Sequence, residues 1–260
     1  MRLIVFSDLD GTLLDHASYS WQAAEPALAQ LAKREIPLVL ATSKTAAEVE
    51  RLHSALALGD TPAIVENGAG VYRPGQPLQA EGDMATIRAA LARTPQDLRA
   101  HFLGFGDVDA EGVAAMTGLP LDSAAMAKQR MFSEPGQWSG TDAQRLAFVQ
   151  NLAAQGVSAR YGGRFLTLSL GRTKADAMRE VCRELGGTVT IALGDAPNDT
   201  EMLQEADHGV IVRNDHGVGL PTLDGEATGR IRRTDAIGPA GWNEAILALL
   251  NELEQDESHG

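Results

Sequence analysis

The stretch Leu3-Ile4-Val5-Phe6-Ser7-Asp8-Leu9-Asp10-Gly11-Thr12-Leu13-Leu14 is an apolar run that ends in two aspartates spaced i, i+2 and then a glycine. Read as a buried strand over residues 3–9, its period of two places Asp8 and Asp10 on the same side, at the carboxyl end. Two carboxylates side by side in a cleft repel each other and call for either a hard cation or a shared proton; the cation is the favoured reading. Gly11 lets the chain turn sharply after the second carboxylate, and Thr12 can donate hydrogen bonds into the same space.

The 260 residues are enough for one large domain or two modest ones with a real core. With 44% hydrophobic and 22% charged residues, the composition is that of a globular protein in water. A formal net charge of −13 argues against nucleic acid and anionic membranes as partners, but leaves room for an anionic small substrate where a metal and a few basic residues reverse the field locally. Cys182 is the single cysteine, so no intrachain disulfide can form, which suits a reducing cytoplasm. The amino terminus enters a strand without a basic leader, and no later apolar run is long enough to cross a bilayer. A cytoplasmic location is therefore expected, with no protein partner implied.

Strand and helix patterns alternate along the first part of the chain. A helix is expected from about Ala23 to Arg34, a short buried strand over Ile36 to Ala41, and a helix from Thr45, whose spacing to Glu48 is that of a capping box. Thr42 and Ser43 then lie between a strand end and a helix amino terminus, where hydroxyls and free N–H groups favour an anion. Ala63 to Glu66 reads as a third strand, and Asn67-Gly68 before Ala69 to Tyr72 as a hairpin turn. From about Gly82 to Leu168 the pattern changes to mixed helices and short strands, as in a small α+β domain inserted into the first. The division expected is 1–82 with 169–260 as one domain and 83–168 as the other.

The alternating pattern then resumes. Thr173, with Asp176 three residues on, looks like a helix cap and puts Lys174 in the first turn, where it opposes the helix dipole unless an anion compensates. Thr188 to Leu193 is another β-branched run, ending in Gly194-Asp195-Ala196-Pro197-Asn198-Asp199. Gly209 to Val212 offers one more strand, and Pro239 to Leu253 a surface helix with Trp242, Ile246, Leu249 and Leu250 inward.

In an open parallel sheet, ligands bind beyond the carboxyl ends of the strands, at the switch in strand order. Asp8, Asp10, Thr42 and Asp195 are all expected at such ends and can meet in one crevice despite the long gaps between them. Three carboxylates and backbone oxygens describe a Mg²⁺ site; a lysine, two hydroxyls and helix amino termini describe a phosphate site. Together they imply phosphoryl transfer, in which catalysis is largely positioning and charge neutralisation. Taken singly, each piece has an ordinary reading: Asp-x-Asp-Gly also ends a turn or belongs to a calcium loop, Thr42 can simply cap a helix, and Lys174 can be a solvated surface residue. It is their joint occurrence that favours an enzyme.

Asp8-Leu9-Asp10-Gly11-Thr12, Thr42, Lys174 and Gly194-Asp195-x-x-Asn198-Asp199 resemble, in order, the four motifs of the haloacid dehalogenase superfamily of phosphatases. The resemblance spans the chain. It implies a doubly wound parallel-sheet, Rossmann-like α/β core with an inserted α+β cap domain of the larger type found in sugar-phosphate phosphatases. Val65-Glu66-Asn67-Gly68, Gly104-Phe105-Gly106-Asp107, Met116-Thr117-Gly118-Leu119, Ser133-Glu134-Pro135, Gly162-Gly163-Arg164-Phe165 and Gly238-Pro239-x-Gly241-Trp242 look like those of the mannosyl-3-phosphoglycerate phosphatases. Where the wider superfamily often has Thr-Gly-Arg, this chain has Thr42-Ser43-Lys44.

The resemblance implies that Asp8 attacks phosphorus to form an aspartyl phosphate, and that Asp10 protonates the leaving alkoxide and then deprotonates the attacking water. It further implies Mg²⁺ held by the Asp8 carboxylate, the Asp10 carbonyl and Asp195, with Asp199 on a metal-bound water, and Thr42, Lys174 and Asn198 on the phosphoryl oxygens. Ser43 is a further phosphate candidate. Within the cap, Arg130, Ser133, Glu134 and Arg164 are candidates for the glycerate carboxylate and sugar hydroxyls, and surface salt bridges account for them equally well. The expected reaction is release of phosphate from mannosyl-3-phosphoglycerate. A glucosyl analogue or another sugar phosphate, a phosphotransferase, and a silent sugar-phosphate sensor remain as alternatives. The intact Asp8 and Asp10 pair speaks against the sensor, which needs only one of them.

Overall fold

A computed structural model describes residues 2–78, 82–162, 164–217 and 219–259. The chain divides into two compact units, residues 1–42 with 174–260 and residues 43–173. The first opens with β1 (Leu3–Ser7), α1 (Glu25–Lys33) and β2 (Leu38–Leu40). The second holds α2 (Ala46–Ala55), β3 (Ala63–Val65), β4 (Gly70–Tyr72), α3 (Asp83–Arg93), α4 (Gln96–Arg99) and β5 (Phe102–Gly104). It continues through α5 (Ala110–Thr117), α6 (Leu121–Ala127), β6 (Ser133–Trp138), α7 (Asp142–Ala153), β7 (Ser158–Gly162) and β8 (Phe165–Ser169). The chain then returns to the first unit with α8 (Lys174–Leu185), β9 (Val189–Gly194), α9 (Thr200–Glu205), β10 (His208–Arg213), β11 (Ile231–Ile237) and α10 (Gly238–His259).

In the first unit the strands form one parallel sheet in the order β11-β10-β9-β1-β2. The inner strands β1 and β9 are nearly continuous apolar runs because both faces of a doubly wound sheet are covered. Pairing of Ser7 with both Leu40 and Leu193, and of Ile211 with Gly194, ends β2, β1, β9 and β10 close to one level. The side chains that follow these strands therefore share one edge of the sheet. On one flank, α10 buries Trp242, Ile246, Leu249 and Leu250, and its Asn243 Oδ1 accepts the Ala27 N–H at 2.9 Å, satisfying a donor at the start of α1. Among the described residues no helix is long and apolar enough to cross a membrane.

β11 is absent from the sequence reading for a physical reason. It is an edge strand with only Ile231 buried, so it carries neither the continuous apolar run nor the clean alternation that marks a strand.

The second unit contains a four-stranded antiparallel sheet, β5-β6-β8-β7, and the hairpin β3-β4. Ile87, Ala90, Leu91, Phe102, Phe148, Leu152, Leu166 and Leu168 pack helices α3 and α7 onto one face of that sheet. The inner strand β6 contains Pro135 and Gly136, residues that normally argue against a strand. Here Gly136 is required: a Cβ at that position would lie 2.5 Å from Phe102 Cζ and 2.7 Å from the Leu103 carbonyl.

This unit begins at Ser43, well ahead of the expected start at residue 83, because several contacts tie residues 43–66 to residues 126–133. The capping box at Thr45 forms as expected, and the same hydroxyl lies 3.0 Å from the Met126 carbonyl. Glu66 is buried, with its backbone in the left-handed region at φ 50°, a strained choice for glutamate. Its carboxylate accepts the N–H groups of Met131 and Phe132 and the Ser133 hydroxyl, the last at 2.6 Å, and lies 3.7 Å from Arg130 Nη1. Arg130 in turn donates to the Ser43 carbonyl. Replacing Glu66 by alanine strands these donors and leaves the Arg130 guanidinium without its charge partner. Glu66→Ala should lower the unfolding free energy of the unit that contains it by about 3–5 kcal/mol, read by urea denaturation.

Candidate active site

The strand ends of the first unit carry the site. β1 delivers Asp8, whose N–H still follows the ladder to the Leu193 carbonyl at 2.9 Å. The chain then turns: Leu14 donates back to the Leu9 carbonyl, and Gly11 sits at φ 86°, a conformation that strains any other residue. Asp10 lies in this turn, bridged to Leu14 and half-buried. Thr42 follows β2 and is buried. β9 delivers Asp195, after which a single helical turn, Pro197–Asp199, carries the half-buried Asn198 and brings Asp199 back against the strand. Gly194 permits that return, since a Cβ there would come within 2.5 Å of the Asp199 side chain.

Asp8, Asp195 and Asp199 each offer a carboxylate oxygen within 4.8 Å of the others, all three residues being buried. Lys174, in the first turn of α8 and fully buried, places Nζ 2.6 Å from Asp8 Oδ1 and 2.7 Å from Asp199 Oδ1. The anion expected to offset a lysine at a helix amino terminus is thus supplied by the chain itself. The second oxygen of Asp199 accepts the N–H groups of Asp195 and Ala196 at 3.1 Å, so both of its oxygens are engaged. Asp195 is held from two sides: Thr12 Oγ1 donates to Oδ1 and Asn214 Nδ2 to Oδ2, each at 2.7 Å.

Sequence reasoning missed Asn214. It directly follows β10, the fourth strand end at this edge, and its other amide atom accepts the His216 N–H, which fixes the orientation of the amide. The polar run Arg213-Asn214-Asp215-His216 after an apolar strand was the available signal.

Burial raises the Asp8 pKa well above its ordinary value, with Asp199 and Asp195 adding to the shift and Lys174 opposing it. Asp195 is raised by burial and by Asp199, against the hydrogen bonds from Asn214 and Thr12. Burial alone would lower the Lys174 pKa, but Asp199 and then Asp8 outweigh it and raise the pKa, so the amine stays an ammonium ion. Three carboxylates around one ammonium leave an excess of negative charge away from water. An all-oxygen donor set in that condition fits a hard divalent cation.

The remaining predicted residues lie in the second unit. Ser43 is exposed, and its carbonyl accepts a hydrogen bond from Arg130. Arg130 and Ser133 belong to the network around Glu66. Glu134 is buried on the sheet face that carries Leu166 and Leu168, where it accepts the Gly106 N–H at 2.6 Å and lies 3.7 Å from Arg88. Arg164 is exposed and donates to the Thr117 carbonyl.

Residues 5–94 and 139–217 match the family of haloacid dehalogenase-like hydrolases. A protein of Methanococcoides burtonii named glucosyl-3-phosphoglycerate/mannosyl-3-phosphoglycerate phosphatase is 35% identical, over 97% of this chain and 98% of its own. A protein of the same name from Persephonella marina is 34% identical, over 97% and 99%. Among solved structures, the sucrose-phosphatase of Synechocystis sp. PCC6803 superposes with a TM-score of 0.65 at 19% identity, over 95% of this chain and 97% of that one. The haloacid dehalogenase superfamily phosphatase BT1666 of Bacteroides thetaiotaomicron gives 0.67 at 20% identity, over 95% of each chain; at these identities the likeness is one of fold. The chain belongs to the haloacid dehalogenase-like hydrolase family, as an enzyme of the phosphoric monoester hydrolase class.

Proposed function

We propose that this hydrolase releases phosphate from mannosyl-3-phosphoglycerate, with the glucosyl compound as the nearest alternative substrate, through an aspartyl phosphate on Asp8. The observation that carries the reading is the buried Asp8 carboxylate, paired with Lys174 and grouped with Asp195 and Asp199, in a chain similar to glycosyl-phosphoglycerate phosphatases from end to end. Residues 1–82 with 169–260 serve as the catalytic core and 83–168 as the specificity cap, with residues 43–82 packed in the compact unit that contains that cap. A cytoplasmic location belongs to the same proposal and suits a chain whose single cysteine is unpaired.

An oxygen of Asp8 attacks phosphorus while the bond to the glycerate oxygen breaks, and Asp10 gives that oxygen its proton. Asp10 then takes a proton from water, whose oxygen displaces the Asp8 carboxylate and frees inorganic phosphate. Lys174 neutralises the phosphoryl oxygens alongside Thr42 and Asn198, with Ser43 a further candidate, and Asp199 holds Lys174 in place with an oxygen 2.7 Å away. Thr12 and Asn214 keep Asp195 in one orientation. Asp8, Asp10, Asp195 and Asp199 are the residues that would hold Mg²⁺, which when bound screens the charge between nucleophile and phosphate. Recognition of sugar and glycerate falls to the cap, where Arg130, Ser133, Glu134 and Arg164 are the candidates. Arg164 is the exposed one of the four cap candidates, while Glu134 is buried against Gly106.

Phosphate release, followed with Mg²⁺ and with chelator from the mannosyl and glucosyl compounds and a few common sugar phosphates, should show a Mg²⁺-dependent preference for the glycosyl phosphoglycerates. Broad, weak release would discard the substrate and keep the chemistry. Asp8→Asn should cut turnover roughly 1,000-fold or more with the fold retained in circular dichroism; activity near wild type would remove Asp8 as nucleophile.

The carboxyl pKa values also set a dependence on pH. Asp8 and Asp195 are raised in the folded protein, so their protonation favours it: the stability they contribute is present below the ordinary aspartate range and is lost as pH rises through the raised values. In chelator the melting temperature should therefore fall as pH rises above the ordinary aspartate range. Saturating Mg²⁺, which needs both groups ionised, should abolish much of that fall. Equal slopes with and without Mg²⁺ would place the cation elsewhere.

A further inference from the structure

The segment Gly238-Pro239-Ala240-Gly241-Trp242 has no part in the phosphoryl-transfer steps, yet each residue of special shape in it has a defined task. Gly238, at φ 54°, turns the chain from β11 into α10, and Pro239 sits in the first turn of that helix. Gly241 lets that turn press on the strand, since a Cβ would fall 2.2 Å from the Ala236 carbonyl and 2.6 Å from Thr234 Oγ1. The result is that Trp242, fully buried, aims its indole N–H at β1, where it donates to Ser7 Oγ at 2.9 Å. Ser7, also fully buried, donates its hydroxyl proton to the carbonyl of Asp8 at 2.7 Å.

The direction of this relay is set by chemistry. An indole N–H can only donate, so the Ser7 proton cannot point at Trp242 and is left for the Asp8 carbonyl. With the Asp8 N–H already bonded to the Leu193 carbonyl, both main-chain polar groups of Asp8 are tied down. What remains free is the short side chain, whose carboxylate meets Lys174 at 2.6 Å.

We propose that Trp242 is a positioning residue, which acts through the Ser7 hydroxyl to fix the peptide that carries the Asp8 nucleophile. The proposal rests on the reading of Asp8 as the nucleophile and extends it to a residue at the far end of the chain. In-line attack demands tight placement, and a misplacement of about 1 Å is enough for a ~100-fold loss. A loosened peptide therefore shows in kcat, while KM, set by groups that touch the phosphate, stays in place.

The test is a double-mutant cycle of Ser7→Ala and Trp242→Phe, read on p-nitrophenyl phosphate with Mg²⁺, because that phosphomonoester reports the chemical step whichever sugar phosphate is the natural substrate. Ser7→Ala should lower kcat ~10-fold with KM within about twofold of wild type. Trp242→Phe should lower it several-fold, and the double variant should match Ser7→Ala alone, since Trp242 works only through Ser7. Melting temperatures taken in parallel separate packing from positioning: Ser7→Ala and the double variant both leave the Asp8 carbonyl without its hydroxyl donor, and both should keep a cooperative unfolding transition yet remain slow. A Ser7→Ala enzyme within about twofold of wild type in kcat, or losses that multiply in the double variant, would overturn the relay. Failure of the wild type on glycosyl phosphoglycerates would overturn only the substrate reading.

Discussion

The ammonium of Lys174, buried between Asp8 and Asp199, is the interaction on which the catalytic unit depends. Burying a carboxylate is expensive unless it is paired, and here Asp195 stands beside the other two with hydrogen bonds from Asn214 and Thr12 and the charge of Lys174 in partial compensation. The raised pKa values of Asp8 and Asp195 are the measure of that imbalance. Such a site is poor at stabilising a fold and fits a divalent cation, which would bring the charge closer to balance. The acidity of the whole chain is then no obstacle to an anionic substrate, because the relevant field is local.

Register turns four separate strand ends into one site. Ser7 pairs with Leu40 on one side and Leu193 on the other, and Gly194 with Ile211, so Thr42, Asp8, Asp195 and Asn214 emerge along the same edge. A slip of one residue would turn Asp8 to the opposite face of the sheet. The close packing of β1 and β9 on both faces makes such a slip costly, because side chains of different shape would have to exchange places in a filled interior, and so packing far from the chemistry holds the chemistry in place.

The second unit solves a different problem, with the same kind of group. Glu66 is a buried carboxylate too, but three donors and a nearby guanidinium satisfy it, and it joins the hairpin end to the start of β6. A strained backbone at Glu66 is tolerated because those bonds over-determine it. Arg130 and Ser133, which the sequence offers equally as substrate contacts or as salt-bridge residues, are engaged in this internal network, and Glu134 is engaged with Gly106.

By itself the sequence determined the strand–helix alternation, the capping box at Thr45, the Asn67-Gly68 hairpin, and the placing of Asp8, Asp195 and Lys174 at strand ends and a helix start. Each of these is local: apolar period, turn chemistry and cap spacing are properties of a few neighbouring residues. Tertiary structure alone decided that Asn214 reaches Asp195, that Ser7 links Trp242 to Asp8, that Glu66 ties down residues 131–133, and that polar β11 and glycine-bearing β6 are strands at all. Those outcomes depend on partners far along the chain, 235 residues apart for Trp242 and Ser7. No local pattern encodes which buried donor will meet which acceptor until the sheet has set its register and the glycines have let the backbones approach.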